Sequence, residues 1–202
     1  MVTTGVLALQ GAFVLHIQAL ARLGEEVVEV RTLEELAAVD RLIIPGGESS
    51  VMAMMAERSG LMGQLRERIS SGMPTLGTCA GAILLATEVL DGRAGQTSLG
   101  VLDISVRRNA FGRQVDSFST QLELSVESLA PGSDPKARAP HSESITAVFI
   151  RAPAIVSTGD TVDVLARFED EPVFVRQGSV IATTFHPELS DDDTVHQLFL
   201  DL

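Results

Sequence analysis

The chain has no tryptophan and no tyrosine, one cysteine, one asparagine and few basic residues, and each shortage excludes a class of function. Phenylalanine is the only aromatic type, so aromatic side chains do not alternate with basic ones to form a platform for stacked bases. Cys79, standing alone, can form neither an intramolecular disulfide nor a cysteine-based zinc site. Asn109 is followed by Ala-Phe, which is not a glycosylation sequon. No apolar run approaches the roughly 20 residues that span a bilayer. The first basic residue is Arg22, so the N-terminus lacks the charged region of a signal peptide. A reducing, cytoplasmic setting away from membranes is the expectation. Acidic residues number 27 against 15 basic ones, a net charge of −12, and the densest basic stretch is only Arg107, Arg108 and Arg113. Such a chain repels phosphate backbones, which argues against nucleic acid as a partner. There is no P-loop, no Gly-x-Gly-x-x-Gly and no histidine-rich metal spacing, so neither a cofactor nor a metal is expected.

What is present suits one globular domain over residues 1–202, with 45% hydrophobic and 21% charged residues. The first half alternates strands and helices. Gly5 to Leu9, Val27 to Val30, Leu42 to Ile44 and Thr75 to Thr78 read as short strands. Phe13, Ile17 and Leu20 recur at helical spacing up to Gly24, and Leu61, Leu65 and Ile69 share a helical face. Thr32 is positioned to cap a short helix through Ala38, with Glu35 completing a capping box. A helix is expected from about Ser50 and another over Ala80 to Leu90. Apolar strands separated by helices imply a parallel sheet covered on both faces. In the second half, Val101–Val106, Gln121–Val126, Ala147–Ile150, Val162–Phe168, Val173–Val175 and Val180–Thr184 read as strands. Val195, Leu198, Phe199 and Leu202 mark a final amphipathic helix. The proline-rich stretch Pro131 to Thr146 reads as a surface loop.

Three segments carry chemistry. Gly77-Thr78-Cys79-Ala80-Gly81 falls where a strand turns into a helix, the nucleophile-elbow pattern with cysteine in place of serine. The following helix N-terminus favours a thiolate there; a buried, inert cysteine is the alternative. Phe185-His186-Pro187-Glu188 follows the strand Val180–Thr184. Pro187 biases His186 to an extended conformation, and residues two apart in an extended chain share a side, so Glu188 can orient the imidazole. Pro45-Gly46-Gly47-Glu48-Ser49 also follows a strand. Its glycines could present backbone N–H groups to an oxyanion, although a simple turn with Ser49 as helix cap fits the same residues. His16, His141 and His196 read as structural or solvent-facing. Met52, Met54, Met55 and Met62 read as core packing, with an adaptable partner surface as the alternative.

Together, Gly-Thr-Cys-Ala-Gly, Pro-Gly-Gly-Glu-Ser and His-Pro-Glu resemble the class I (triad) glutamine amidotransferases. Gly5 to Ala12, Arg108 to Phe118, Phe149 to Pro153 and Thr184 to Leu189 are similar to the glutaminase subunits of pyridoxal 5′-phosphate synthases. The resemblance runs from the first strand to the last helix. It implies a flavodoxin-like three-layer α/β/α sandwich, and a glutaminase that feeds ammonia to a separate synthase subunit in a hetero-oligomeric complex. Cys79 is then the nucleophile, and His186 and Glu188 complete the triad. Gly46, Gly47 and Glu48 line the L-glutamine site, and Arg108, Ile150 and Arg151 match further glutamine-contacting positions. Backbone amides around Gly47 and Ala80 form the oxyanion hole, and Gln10-Gly11 lies on the same rim of the sheet, where a partner could act. Leu15 and Ser119 stand where that family usually has acidic residues. A small peptidase or esterase using the same elbow, and a degenerate amidotransferase serving as a scaffold, are the competing readings.

Overall fold

The computed structural model describes residues 2–92, 95, 97–108, 117–125 and 144–202. Its centre is a seven-stranded sheet. Five parallel strands, β1 (Thr4–Leu7), β2 (Val27–Val30), β3 (Arg41–Ile44), β4 (Thr75–Thr78) and β12 (Val180–Thr183), are extended at one edge by antiparallel β10 (Asp163–Phe168) and β11 (Glu171–Gln177). The spatial order β10-β11-β12-β4-β3-β1-β2 puts β4 in the middle, with β3 and β12 as its neighbours. All three end in the segments singled out above.

Successive strand residues point to opposite faces, and both faces are buried. Leu7, Leu42, Ile44, Val180 and Ala182 face one core. Over it lie α2 (Leu33–Ala37), α3 (Ser49–Arg58), α4 (Leu61–Ser70), α5 (Ala80–Leu85) and a small sheet of β5 (Ala86–Val89), β6 (Leu102–Arg107) and β9 (Ala154–Thr158). Val6, Ile43, Leu76 and Ile181 face the other core. It is closed by α1 (Phe13–Arg22), α6 (Thr194–Leu200) and the antiparallel pair β7 (Phe118–Glu123) and β8 (Ser144–Phe149). The expected three-layer sandwich is therefore present, with two small β additions. No helix among the described residues is long and apolar enough to cross a membrane.

Local signals explain most boundaries. Thr32 caps α2 in a complete capping box with Glu35. Leu61, Leu65 and Ile69 form the buried face of α4, as their spacing demands. The methionines divide: Met52 and Met62 are core, whereas Met54 is 40% exposed.

Several expectations need correction. The helix from Ala80 stops at Leu85, because Ala86 turns extended (ψ 147°) and Ala86 to Val89 pairs with β6 instead. The strand expected at Gln121–Val126 begins three residues earlier, where Phe118 pairs with Phe149 and their rings stack 4.9 Å apart. Strand β9, paired antiparallel with β6, adds to the strands that the sequence pattern predicts. The loop expected over Pro131 to Thr146 ends by Ser144, since Ser144–Thr146 opens β8; the rest of it, with His141 and Val126, lies outside the described residues, as do Asn109 and Arg113. Glu48, rather than Ser49, is the N-cap of α3, its carboxylate accepting from Ser50 N–H.

Candidate active site

Cys79 sits between β4 and α5 at φ 47° and ψ −100°, a conformation that a residue bearing Cβ adopts only when its surroundings enforce it. Its N–H donates to Thr183 O on β12 (2.8 Å), and its carbonyl accepts from Ile83 N–H on α5 (3.3 Å). The turn is tight enough that any side chain on Gly81 would strike the Ile44 carbonyl at the end of β3. The elbow forms because the chain has glycine where backbone meets backbone.

His186 follows the end of β12, and its N–H is held by Val148 O on β8 (2.8 Å). Its Nδ1 bonds Glu188 Oε1 at 2.7 Å. The pairing expected of these residues is present, but the route differs. Pro187–Leu189 forms a 3-10 turn, so the carboxylate reaches the ring by curling back rather than by lying along an extended chain. Burial works against the imidazolium of His186. Hydrogen bonds to Cys79 and Glu188, and the charges of both, outweigh it and push the ring up to about 10. Glu188 is held below the usual carboxylate range. Burial opposes this, and the electrostatic influence of His16 followed by the hydrogen bond from His186 prevails.

Gly46 and Gly47 pass behind this pair. A methyl group on Gly46 would lie 2.5 Å from His186 Cε1, so the histidine ring occupies the space that glycine leaves. The Gly46 carbonyl accepts from Ala12 N–H (3.1 Å), and Glu48 N–H donates to Gln10 Oε1 (2.8 Å). The loop between β1 and α1 thus grips the Gly46–Glu48 backbone from both sides. In the same loop Gly11 lies against the Gly46 carbonyl at φ 97°, where a side chain has no room.

A cavity of about 340 Å³ opens over Cys79 and His186, at the low end of small-ligand sites, which run from about 300 to 1,000 Å³. Gln10, Gly47, Glu48, Arg108, Ile150 and Arg151 are in its wall, together with Ala12, Ser49, Ile83 and Leu189. Gly46 and Ala80 are not in that wall: Gly46 sits behind the imidazole, and Ala80 is buried at the start of α5. Glu188 is likewise buried, behind His186. Arg108 Nη2 and Glu48 Oε1 pair at 3.0 Å, so the wall holds an ion pair, with Arg151 as a second cationic group. Among the described residues no group of three His, Cys, Asp or Glu side chains is arranged to hold a metal ion.

His16 and His196, read above as structural or solvent-facing, are fully buried: His16 stands beside Glu188, and His196 bonds His16. Their spacing carries no signal: His16 looks like one polar position on an amphipathic helix, and its partners are 62 and 180 residues away in sequence.

Comparison with known proteins finds relatives along nearly the whole chain. The chain is 50% identical over 97% of its length to the pyridoxal 5′-phosphate synthase subunit PdxT of Corynebacterium jeikeium, covering 94% of that protein. It is 49% identical over 99% of its length to the subunit of the same name from Herpetosiphon aurantiacus, covering all of it. A crystal structure of a glutamine amidotransferase superimposes with a TM-score of 0.86 at 47% identity, over 98% of this chain and 97% of that one. A chain of the PurLQS structure from Thermotoga maritima, 16% identical over all of this chain and 99% of that one, shares the fold at a TM-score of 0.67. The sequence profile of one family runs along the chain from residue 6 to residue 202, through all three segments that meet at the cavity, and by that match the chain belongs to the SNO glutamine amidotransferase family.

Proposed function

We propose that this chain, as one catalytic domain, hydrolyses L-glutamine to L-glutamate and ammonia and passes the ammonia to a synthase subunit that makes pyridoxal 5′-phosphate. The observation that carries the reading is the line Cys79–His186–Glu188 opening on a cavity whose wall holds the Arg108–Glu48 ion pair. Arg108 suits the α-carboxylate of an amino acid and Glu48 its ammonium, with Ile150 and Arg151 closing the same end. Gly46 supports the wall from behind. The Cys79 thiolate attacks the side-chain amide carbon. The oxyanion is met by backbone N–H groups at Gly47 and Ala80. The His186 imidazolium gives its proton to the departing ammonia, and a thioester remains. His186 then takes a proton from water, which attacks the thioester and frees glutamate and the thiolate. No metal or cofactor is required by these steps. Relatives named as synthase subunits support the partner.

A glutamine-derived chloroketone should alkylate Cys79, and the protein should release glutamate from glutamine in preference to cleaving simple esters. Failure to label Cys79, or preference for esters, overturns the reading.

Glu188→Gln keeps the shape and an acceptor for His186 Nδ1 but removes the charge that favours the imidazolium. We expect turnover to fall roughly 10- to 100-fold, the worth of a hydrogen bond to a charged group, with glutamine binding largely retained. Wild-type steady-state turnover would show that the carboxylate charge is dispensable.

A further inference from the structure

The two oxygens of Glu188 have unequal surroundings. Oε1 holds His186 Nδ1, whereas Oε2 is buried and accepts no hydrogen bond from the described residues. His16 Nε2, on α1, stands 3.5 Å from Oε2 and 3.1 Å from Thr78 Oγ1, the residue before the nucleophile. The other ring nitrogen of His16 meets His196 Nε2, on α6, at 2.9 Å. We propose that His16 is a positioning residue of the triad: its Nε2–H points between Thr78 Oγ1 and Glu188 Oε2, and His196 fixes the tautomer that keeps it there.

The tautomer follows from counting protons. One proton lies between His16 Nδ1 and His196 Nε2. If His16 supplied it, a bare Nε2 lone pair would face the carboxylate, and His196 would bury an Nδ1–H that has no acceptor. If His196 supplies it, His16 carries Nε2–H toward both oxygens, and the unpartnered atom is the bare Nδ1 of His196. A buried acceptor without a donor is the milder defect.

The relay is also neutral. Burial pushes His16 down, with Glu188 opposing and His186 assisting. Burial pushes His196 down to about 3, as a protonated His16 would too, while Glu188 and Asp193 act upward and Arg22 downward. Arg22 and Asp193 bind one another nearby (Nε to Oδ2, 2.9 Å), so their charges largely cancel at the ring. A neutral donor orients Glu188 without cancelling the negative charge that His186 requires. At 3.5 Å this is a charge–dipole contact rather than a full hydrogen bond. Through it His16 braces both arms of the triad, the Thr78–Cys79 strand end and the His186–Glu188 turn.

The inference rests on the glutaminase reading, and the test separates the two. In the full chain labelled with 15N-histidine, His16 and His196 should both appear at neutral pH as Nε2–H tautomers, a readout independent of activity; the other tautomer, or an imidazolium, at His16 overturns the proposal. In steady-state assays of the full chain with the synthase subunit, His16→Leu should lose on the order of 10-fold in kcat, what one unsatisfied buried group is worth, with KM for glutamine little changed. Without its donor Glu188 takes up a proton more readily, so the acid limb of the kcat/KM profile should move to higher pH. His16→Gln, which restores an N–H at that reach, should bring the limb back. A folded His16→Leu with parental kcat and an unmoved limb overturns the proposal, as does a His16→Gln no better than His16→Leu. If His16→Leu fails to fold, the tautomers and the glutamine variant decide. A parent chain inactive on glutamine sinks the glutaminase reading and leaves the tautomer result standing.

Discussion

Cys79→Ala should lose glutamine hydrolysis on the order of 10⁶-fold, the scale on which removal of a triad nucleophile acts, because no other group in the cavity wall can form the thioester. The fold should survive. Cys79 is 7% exposed, and its side chain is smaller by one atom in the variant. Alanine carries the same Cβ into the strained turn, so the conformation at φ 47° is no harder to hold than before. Circular dichroism and thermal unfolding check the second half of this statement, and glutamate release at saturating glutamine the first. Turnover within 100-fold of the parent in a folded variant would remove Cys79 from the chemistry.

The second large effect is expected from the partner. The isolated chain should be a poor glutaminase, and the synthase subunit should raise its turnover roughly 10²- to 10³-fold, the worth of one oxyanion donor. The physical route runs through two hydrogen bonds already described, Ala12 N–H to the Gly46 carbonyl and Glu48 N–H to Gln10 Oε1. Both originate in the β1–α1 loop, where Gly11 is exposed and Val14, one turn on, is 50% exposed. A partner resting on Gln10-Gly11 bears on the same peptide units that would present N–H to the oxyanion, and glycine peptides rotate at low steric cost. Titrating the synthase subunit into the chain while following glutamate tests this. Equal turnover with and without demonstrably bound partner rejects the coupling and leaves the triad untouched.

The sheet and the three segments that meet at the cavity are legible because their signals are local. Leu42 to Ile44 is a short apolar run ended by Pro45-Gly46-Gly47, and the elbow glycines after Thr75 stand at fixed offsets from Cys79. What could not be read depends on contacts far away in sequence. Ala86 to Val89 continues a helical pattern on paper and becomes a strand because β6 offers it a ladder. Strand β9 has little pattern of its own and exists by pairing with β6. Glu48 displaces Ser49 as the helix cap, and the same carboxylate pairs with Arg108 across the cavity. The roles of His16 and His196 become visible only when α1 and α6 pack on one face of the sheet over Glu188.

The placement of β4 between β3 and β12 has a consequence for the time course of folding. Thr78, the neighbour of Cys79, pairs with Thr183, close to His186, yet about a hundred residues separate them along the chain. Parallel pairing between such distant segments is among the slower events in folding. During synthesis Cys79 therefore emerges long before His186 exists. Cys79 and His186 meet only when β12 closes the centre of the sheet, so partly folded chains, and chains that end before it, lack the cavity that the two residues line.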